Sequence, residues 1–163
     1  MTIAQGAGTV AITGNIGGTA SNDLGNITIG ATGNNGNITL SGDIGTNSVA
    51  GAAIVALGNA STGSITLGGA EYNTSGTQTY TADDYNLNGT DITLTTSADI
   101  VTFADGDSDG SIDLADVADL TITTSGANIV INVPILGTAG GGVSTDVTLN
   151  AAAGNVTLSL IHI

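Results

Sequence analysis

GNITL at residues 36–40 is one copy of a short template that the chain uses repeatedly: GNITI at 25–29, GSITL at 63–67, TDITL at 90–94, ADLTI at 118–122, TDVTL at 145–149 and GNVTL at 154–158. Each copy is a turn-forming residue followed by alternating apolar and polar positions. In NITL at 37–40, Ile38 and Leu40 share one face, and Asn37 and Thr39 share the other. The apolar residue before Thr marks the repeat at Ile12, Ile38, Ile65, Ile92, Leu120 and Val147, with spacings of 26, 27, 27, 28 and 27 residues. So regular a period signals a solenoid.

The period subdivides. Ile27, Ile54 and Leu136 precede a marker by eleven residues, and Ile100, Ile129 and Val156 follow one by eight or nine. Each repeat therefore holds three short strands, separated by Gly, Asn, Asp and Ser, whose backbone freedom and side-chain hydrogen bonds suit tight reversals. Three strands in about 27 residues predict an all-β parallel β-helix of about six coils, each strand pairing with its counterpart one coil later at about 4.8 Å. Six such steps make a column roughly 29 Å long. A sandwich does not keep so constant a repeat, and propeller blades need longer periods with aromatic signatures. On this reading the marker residues lie inside the column on consecutive coils.

Composition agrees with a narrow interior. The 163 residues include 26 Gly, one Pro, one Phe, no Trp and no Cys, yet 40% are hydrophobic, too many for a disordered acidic chain. The net charge of −14 comes from Asp and Glu with no Lys or Arg to oppose them. That charge repels nucleic acids and anionic lipid as partners. Absence of Cys removes thiolate chemistry and cysteine-based zinc sites. The longest apolar run, VAGAAIVALG at 49–58, is about half of what spans a bilayer and reads as a buried strand, so direct membrane insertion is not expected. No secretory leader is visible in MTIAQGAGTV.

The GNITL and TDVTL units, the tract GTQTYTADDYNLNGTDITL at 76–94 and the run IVTFADGDSDGSIDLADVADLTITTSGANIVI at 100–131 resemble the filamentous-haemagglutinin-type repeats of large bacterial surface adhesins. That resemblance implies a long right-handed β-helix carrying binding regions outward from the cell. It also implies an extracellular or outer-surface location, with adjoining repeats of the same parent chain as neighbours. Host or environmental glycans or surface proteins would be the partners. Residues 1–163 are then expected to be one β-helix segment of a longer array. The end LSLIHI breaks the alternation at Ile161, and residues 159–163 read as a tail foreign to the repeat. His162, the one histidine, has no catalytic context around it.

FADGDSDGSIDLAD at 103–116 is the main candidate for chemistry. Asp105, Asp107, Asp109, Gly110, Ser111, Asp113 and Asp116 fall at positions 1, 3, 5, 6, 7, 9 and 12 of an EF-hand-like loop. Hard oxygen ligands at alternate positions, a Gly at six and the Ser111 carbonyl at seven suit Ca²⁺, with affinity in extracellular modules on the order of 10⁻⁴ to 10⁻³ M. The flanks argue otherwise: an EF-hand needs helices, whereas IVTF and VADLTITT are strand-like. The competing reading is a solvated acidic turn between two strands.

Thr13, Thr39, Thr66, Thr93, Thr121 and Thr148 each follow a marker and would stack into an outward ladder. Such stacking commonly reflects β-propensity alone; an ice-binding face would need Thr at the second position too, where Thr39 and Thr66 are followed by Ser41 and Gly68. Enzyme chemistry has little to stand on. Polysaccharide lyases need a basic residue, and hydrolysis needs two carboxylates across a cleft, for which adjacent Asp83 and Asp84, or Asp91 with Asp119, are poor pairs. The sequence thus points to a non-catalytic structural or adhesive stalk segment. A carbohydrate-binding or -cleaving β-helix and a calcium-dependent extracellular module are the alternatives.

Overall fold

The computed structural model describes residues 1–4, 6–17, 24–30, 36–47, 49–115, 117–137 and 145–159. The chain winds as a right-handed parallel β-solenoid with three faces. The first circuit holds β1 (Thr2–Ile3), β2 (Val10–Ile12) and a bridge at Ile16; the second holds β3 (Leu24–Ile29), β4 (Ile38–Leu40) and a bridge at Ile44. The third comprises β5 (Ala52–Gly58), β6 (Ser64–Leu67) and β7 (Glu71–Thr74), and the fourth β8 (Gln78–Ala82), β9 (Asp84–Leu87) and β10 (Asp91–Thr96). The fifth comprises β11 (Val101–Asp105), β12 (Ile112–Leu114) and β13 (Asp119–Thr124), and the sixth β14 (Ile129–Ile131), β15 (Ile135–Gly137) and β16 (Val147–Asn150). β17 (Val156–Leu158) opens a seventh.

Alternation along each strand sends every second side chain inward, and the parallel register stacks those side chains into columns. Ile29, Leu57, Tyr80, Phe103 and Ile131 form the column of the first face. Leu40, Leu67, Leu87 and Leu114 form that of the second. Ile44, Tyr72, Leu94 and Ile122 form that of the third. All are buried. β5 bends between two faces, pairing Ala52 with Thr74 and Val55 with Gln78. The run at 49–58 is therefore only half buried, and Ile54 points outward at 38% exposure. Leu136 also lies outside, whereas Ile27 and Ile129 are core residues.

The aromatic residues gather in the middle coils. Tyr80 stacks on Phe103 at 4.9 Å between ring centres, and Tyr85 meets Phe103 edge-on at 5.1 Å. Their polar ends are satisfied inside: the Tyr80 hydroxyl donates to Gln78 Oε1, and the Tyr72 hydroxyl accepts from the Gly69 amide. The fully buried Gln78 donates in turn to the carbonyls of Tyr72 and Thr95. A buried amide at this position ties the third circuit to the fourth.

Corners carry two recurring devices. Thr74, Thr96 and Thr124 stack in register, and each hydroxyl donates to a carbonyl two or three residues ahead, at Gly76, Asp99 and Ala127. Elsewhere an Asn or Asp side chain accepts from the backbone of the next coil. Asn15 Oδ1 takes the Asp43 amide at 3.0 Å, Asp43 Oδ1 the Ala70 amide at 2.7 Å, Asp119 Oδ1 the Asp146 amide at 2.8 Å and Asn128 Oδ1 the Asn155 amide at 2.9 Å. These bonds fill donors that a turn would otherwise leave without a strand partner.

The register corrects the expectation for the markers. Ile38 and Ile65 stack on the second face, but the next rung there is Tyr85, not Ile92. Ile92, Leu120 and Val147 make a separate column on the third face, and Ile12 pairs with Leu40. The circuit from Leu67 to Leu87 takes only 20 residues and that from Tyr72 to Leu94 only 22, against 28 from Leu94 to Ile122. A shortened circuit followed by a corner reproduces the 27-residue interval by coincidence. Val147 is also not enclosed: it is 40% exposed, because no described residue stacks beyond it. Of the suspected tail, Ser159 still donates its amide to the Ile131 carbonyl at 2.7 Å, and residues 160–163 lie outside the described residues.

Truncation should discriminate enclosed from terminal rungs. Leu94→Ala is expected to cost about 2–5 kcal/mol in urea unfolding, since neighbours on both sides limit collapse into the cavity. Val147→Ala should cost clearly less. Equal losses would contradict the stacking order.

Candidate functional site

The acidic stretch forms the corner between the first and second faces. One coil earlier this corner is a single residue, Asp83, between β8 and β9; in the fifth circuit it is the loop 106–111 between β11 and β12. The longer loop folds back over the shorter one. Gly110 presses on the Asp83 backbone so closely that a side chain there would overlap the Asp83 carbonyl, and Gly106 sits against Asp83 Oδ1. Asp105 Oδ1 accepts from the amides of Asp107 and Ser108 at 3.0 and 2.8 Å, an Asx-type turn in which Ser108 takes a φ of 90°. Asp107, Ser108 and Asp109 are exposed.

Of the candidate calcium ligands, Asp105, Asp107 and Asp109 lie along this one corner. Asp113 stands on β12, exposed on the outer side of the second face, where its Oδ1 accepts from Ser111 Oγ at 3.1 Å. The Ser111 carbonyl already accepts the Tyr85 amide at 2.8 Å as part of the ladder. Asp116 lies outside the described residues. Strands flank the loop on both sides. Among the described residues, no three carboxylate or histidine groups converge closely enough to hold a metal ion.

Sequence reasoning weighed Asp83 only as half of a poor carboxylate pair with Asp84 and missed its enclosure by the next circuit. Its Oδ1 is buried without a hydrogen-bond partner, and burial, with the charges of Asp107, Asp84 and Asp105, pushes this carboxyl above its ordinary pKa. Asp109 is also raised, first by its hydrogen bond to Asp107 and then by that residue's charge. The only sequence signal was the shortness of the TADDYN corner. As β-geometry requires, Asp84 points the other way and is exposed.

A second feature lies on the outside of the second face. There a groove of about 590 Å³ crosses four circuits, lined by Thr66, Asn86, Asn88, Asp113, Ala115 and Leu136 among others. Thr39, Thr66, Asn86, Asp113 and Leu136 follow one another in register as its outward column. Hence the expected single threonine ladder is split. Thr39 and Thr66 belong here, Thr93, Thr121 and Thr148 to the third face, and Thr13 lies beyond β2. On the third face Thr93/Thr95 and Thr121/Thr123 form two paired rungs, edged by the register-paired carboxylates Asp91 and Asp119. No family model, curated protein or solved structure matches this chain.

The half-buried Asp83, with its Oδ1 enclosed, gives a pH test. An acid whose pKa is higher folded than unfolded binds its proton more tightly in the folded state. Its favourable contribution is therefore complete below the unfolded value and is lost as pH rises through the folded one. Asp83→Asn removes that loss, so it should raise the melting temperature at neutral pH. The gain should shrink as pH approaches the ordinary aspartate pKa of about 3.9. A pH-independent difference in thermal melts would contradict it.

Proposed function

We propose that this chain is a non-catalytic stalk segment of a bacterial surface or secreted adhesin. One observation carries the reading: six coaxial circuits bury the large side chains of their enclosed rungs and devote most of their outer positions to Thr, Asn, Asp and Ser. Such a body is a rigid spacer, because each circuit contacts its neighbours through backbone bonds on three sides and length is gained simply by adding circuits. The resemblance of the repeats to filamentous-haemagglutinin-type arrays supports the extracellular placement. The net charge of −14 suits a solvated surface.

A second reading, a carbohydrate-binding β-helix, is favoured by the groove on the second face. A calcium-dependent module finds less support, since the Ser111 carbonyl is engaged by the Tyr85 amide and Asp113 stands on β12 outside the loop. Antibodies raised against this chain test the placement on cells of the organism that encodes it. Staining of intact cells is expected, and staining confined to permeabilised cells would refute an adhesive stalk.

A further inference from the structure

We infer that the groove on the second face binds a neutral, linear saccharide laid along the solenoid axis. This deepens the second reading above and rests on it. The groove lies along the C-terminal ends of β6, β9, β12 and β15, where Asn88 and Ala115 begin the turns that follow β9 and β12. Its floor is a run of strand ends from four successive circuits.

The chemistry of the floor selects the ligand. Thr66, Asn86 and Asp113 present a hydroxyl, an amide and a carboxylate on successive rungs, about 4.8 Å apart. That step is comparable to one pyranose unit of an extended glycan. No hydrogen bond within the described residues engages the side-chain amides of Asn86 and Asn88, and the Asp113 carboxylate receives only Ser111 Oγ. An amide donates and accepts at once, and a carboxylate accepts from two neighbouring hydroxyls, the pattern that vicinal sugar hydroxyls require. On the fourth rung Leu136, 37% exposed, offers an apolar surface to the C–H face of a ring.

Other ligand classes fit poorly. Phosphate, sulfate or uronate groups would meet Asp113 with no Lys or Arg anywhere in the chain to receive them. A peptide added as a strand needs a free sheet edge, whereas β9 and β12, which form the middle of the floor, are paired on both sides. Flat aromatic ligands would find no ring to stack on, because Tyr72, Tyr80, Tyr85 and Phe103 are all fully buried. Without an aromatic platform the binding is weak and polar, carried by hydrogen bonds.

The test is an amide-resolved NMR titration of the ¹⁵N-labelled chain with β-1,4-linked glucose and mannose tetramers, and with a galacturonate tetramer as the charged control. At least one neutral tetramer should shift the amides around Asn86, Asn88, Asp113 and Leu136, and the galacturonate should not. Asn86→Ala with Asp113→Ala should weaken that binding about tenfold, the loss of one or two hydrogen bonds. Both side chains are exposed, so the urea midpoint should hold, and Leu136→Ser provides a second variant should the first disturb folding. Shifts absent from both neutral tetramers, centred on another face, equal for the galacturonate or indifferent to both variants would overturn the proposal. None of these outcomes alters the intact-cell staining on which the stalk reading depends.

Discussion

Everything in this molecule depends on parallel, in-register pairing of each strand with the one a circuit later. That pairing satisfies the backbone groups of the interior strands and at the same time forces like positions to lie over like positions. An inward column must then be free of charge, as that of Leu40, Leu67, Leu87 and Leu114 is, since a charge would be trapped between two apolar layers, and a polar residue such as Gln78 enters one only with its hydrogen bonds made. Outward columns are released from that demand. They collect Thr, whose branched side chain suits a pleated surface, and any polar group that a binding face requires.

The corners are where the chain departs from regularity, and the Asn and Asp clamps explain how it can. At two of the corners an oxygen from Asn15, Asp43, Asp119 or Asn128 accepts an amide at the same corner of the next circuit. At the corner between the first and second faces the backbone does this itself: the Asp83 and Asp84 amides donate to the Thr62 and Gly63 carbonyls and the Gly106 amide to that of Ala82, so the corner can be Asp83 alone or the loop 106–111. The acidic corner arises where the long loop of the fifth circuit meets the short corner of the fourth.

Strands were legible in the sequence because alternation and β-branched residues express the pleat directly, and the repeated GNITL template carried the parallel stacking. The lengths of the circuits were not legible. A corner residue leaves no mark on the alternation of the strands around it, so the 27 residues from Ile65 to Ile92 looked like one coil although they run from the second face to the third. The same error merged two threonine columns into one. At FADGDSDGSIDL the ligand spacing was real as a pattern, but spacing describes one chain segment while ligation needs convergence in space. Placing Asp113 on a strand aims it at a different face. Asp83, ordinary in sequence, becomes unusual only when a loop from the next circuit closes over it.

The placement of the aromatic residues has an optical consequence. With no Trp, the near-ultraviolet signal of this protein arises from Tyr72, Tyr80 and Tyr85, with a faint share from Phe103, and all four sit in the third to fifth circuits. Tyrosine fluorescence and near-ultraviolet dichroism therefore watch the middle of the column and are blind to its ends. Fraying of the terminal circuits would pass unnoticed by those probes while backbone dichroism recorded it. A gap between the two signals would measure how far the column melts from its tips before its centre gives way.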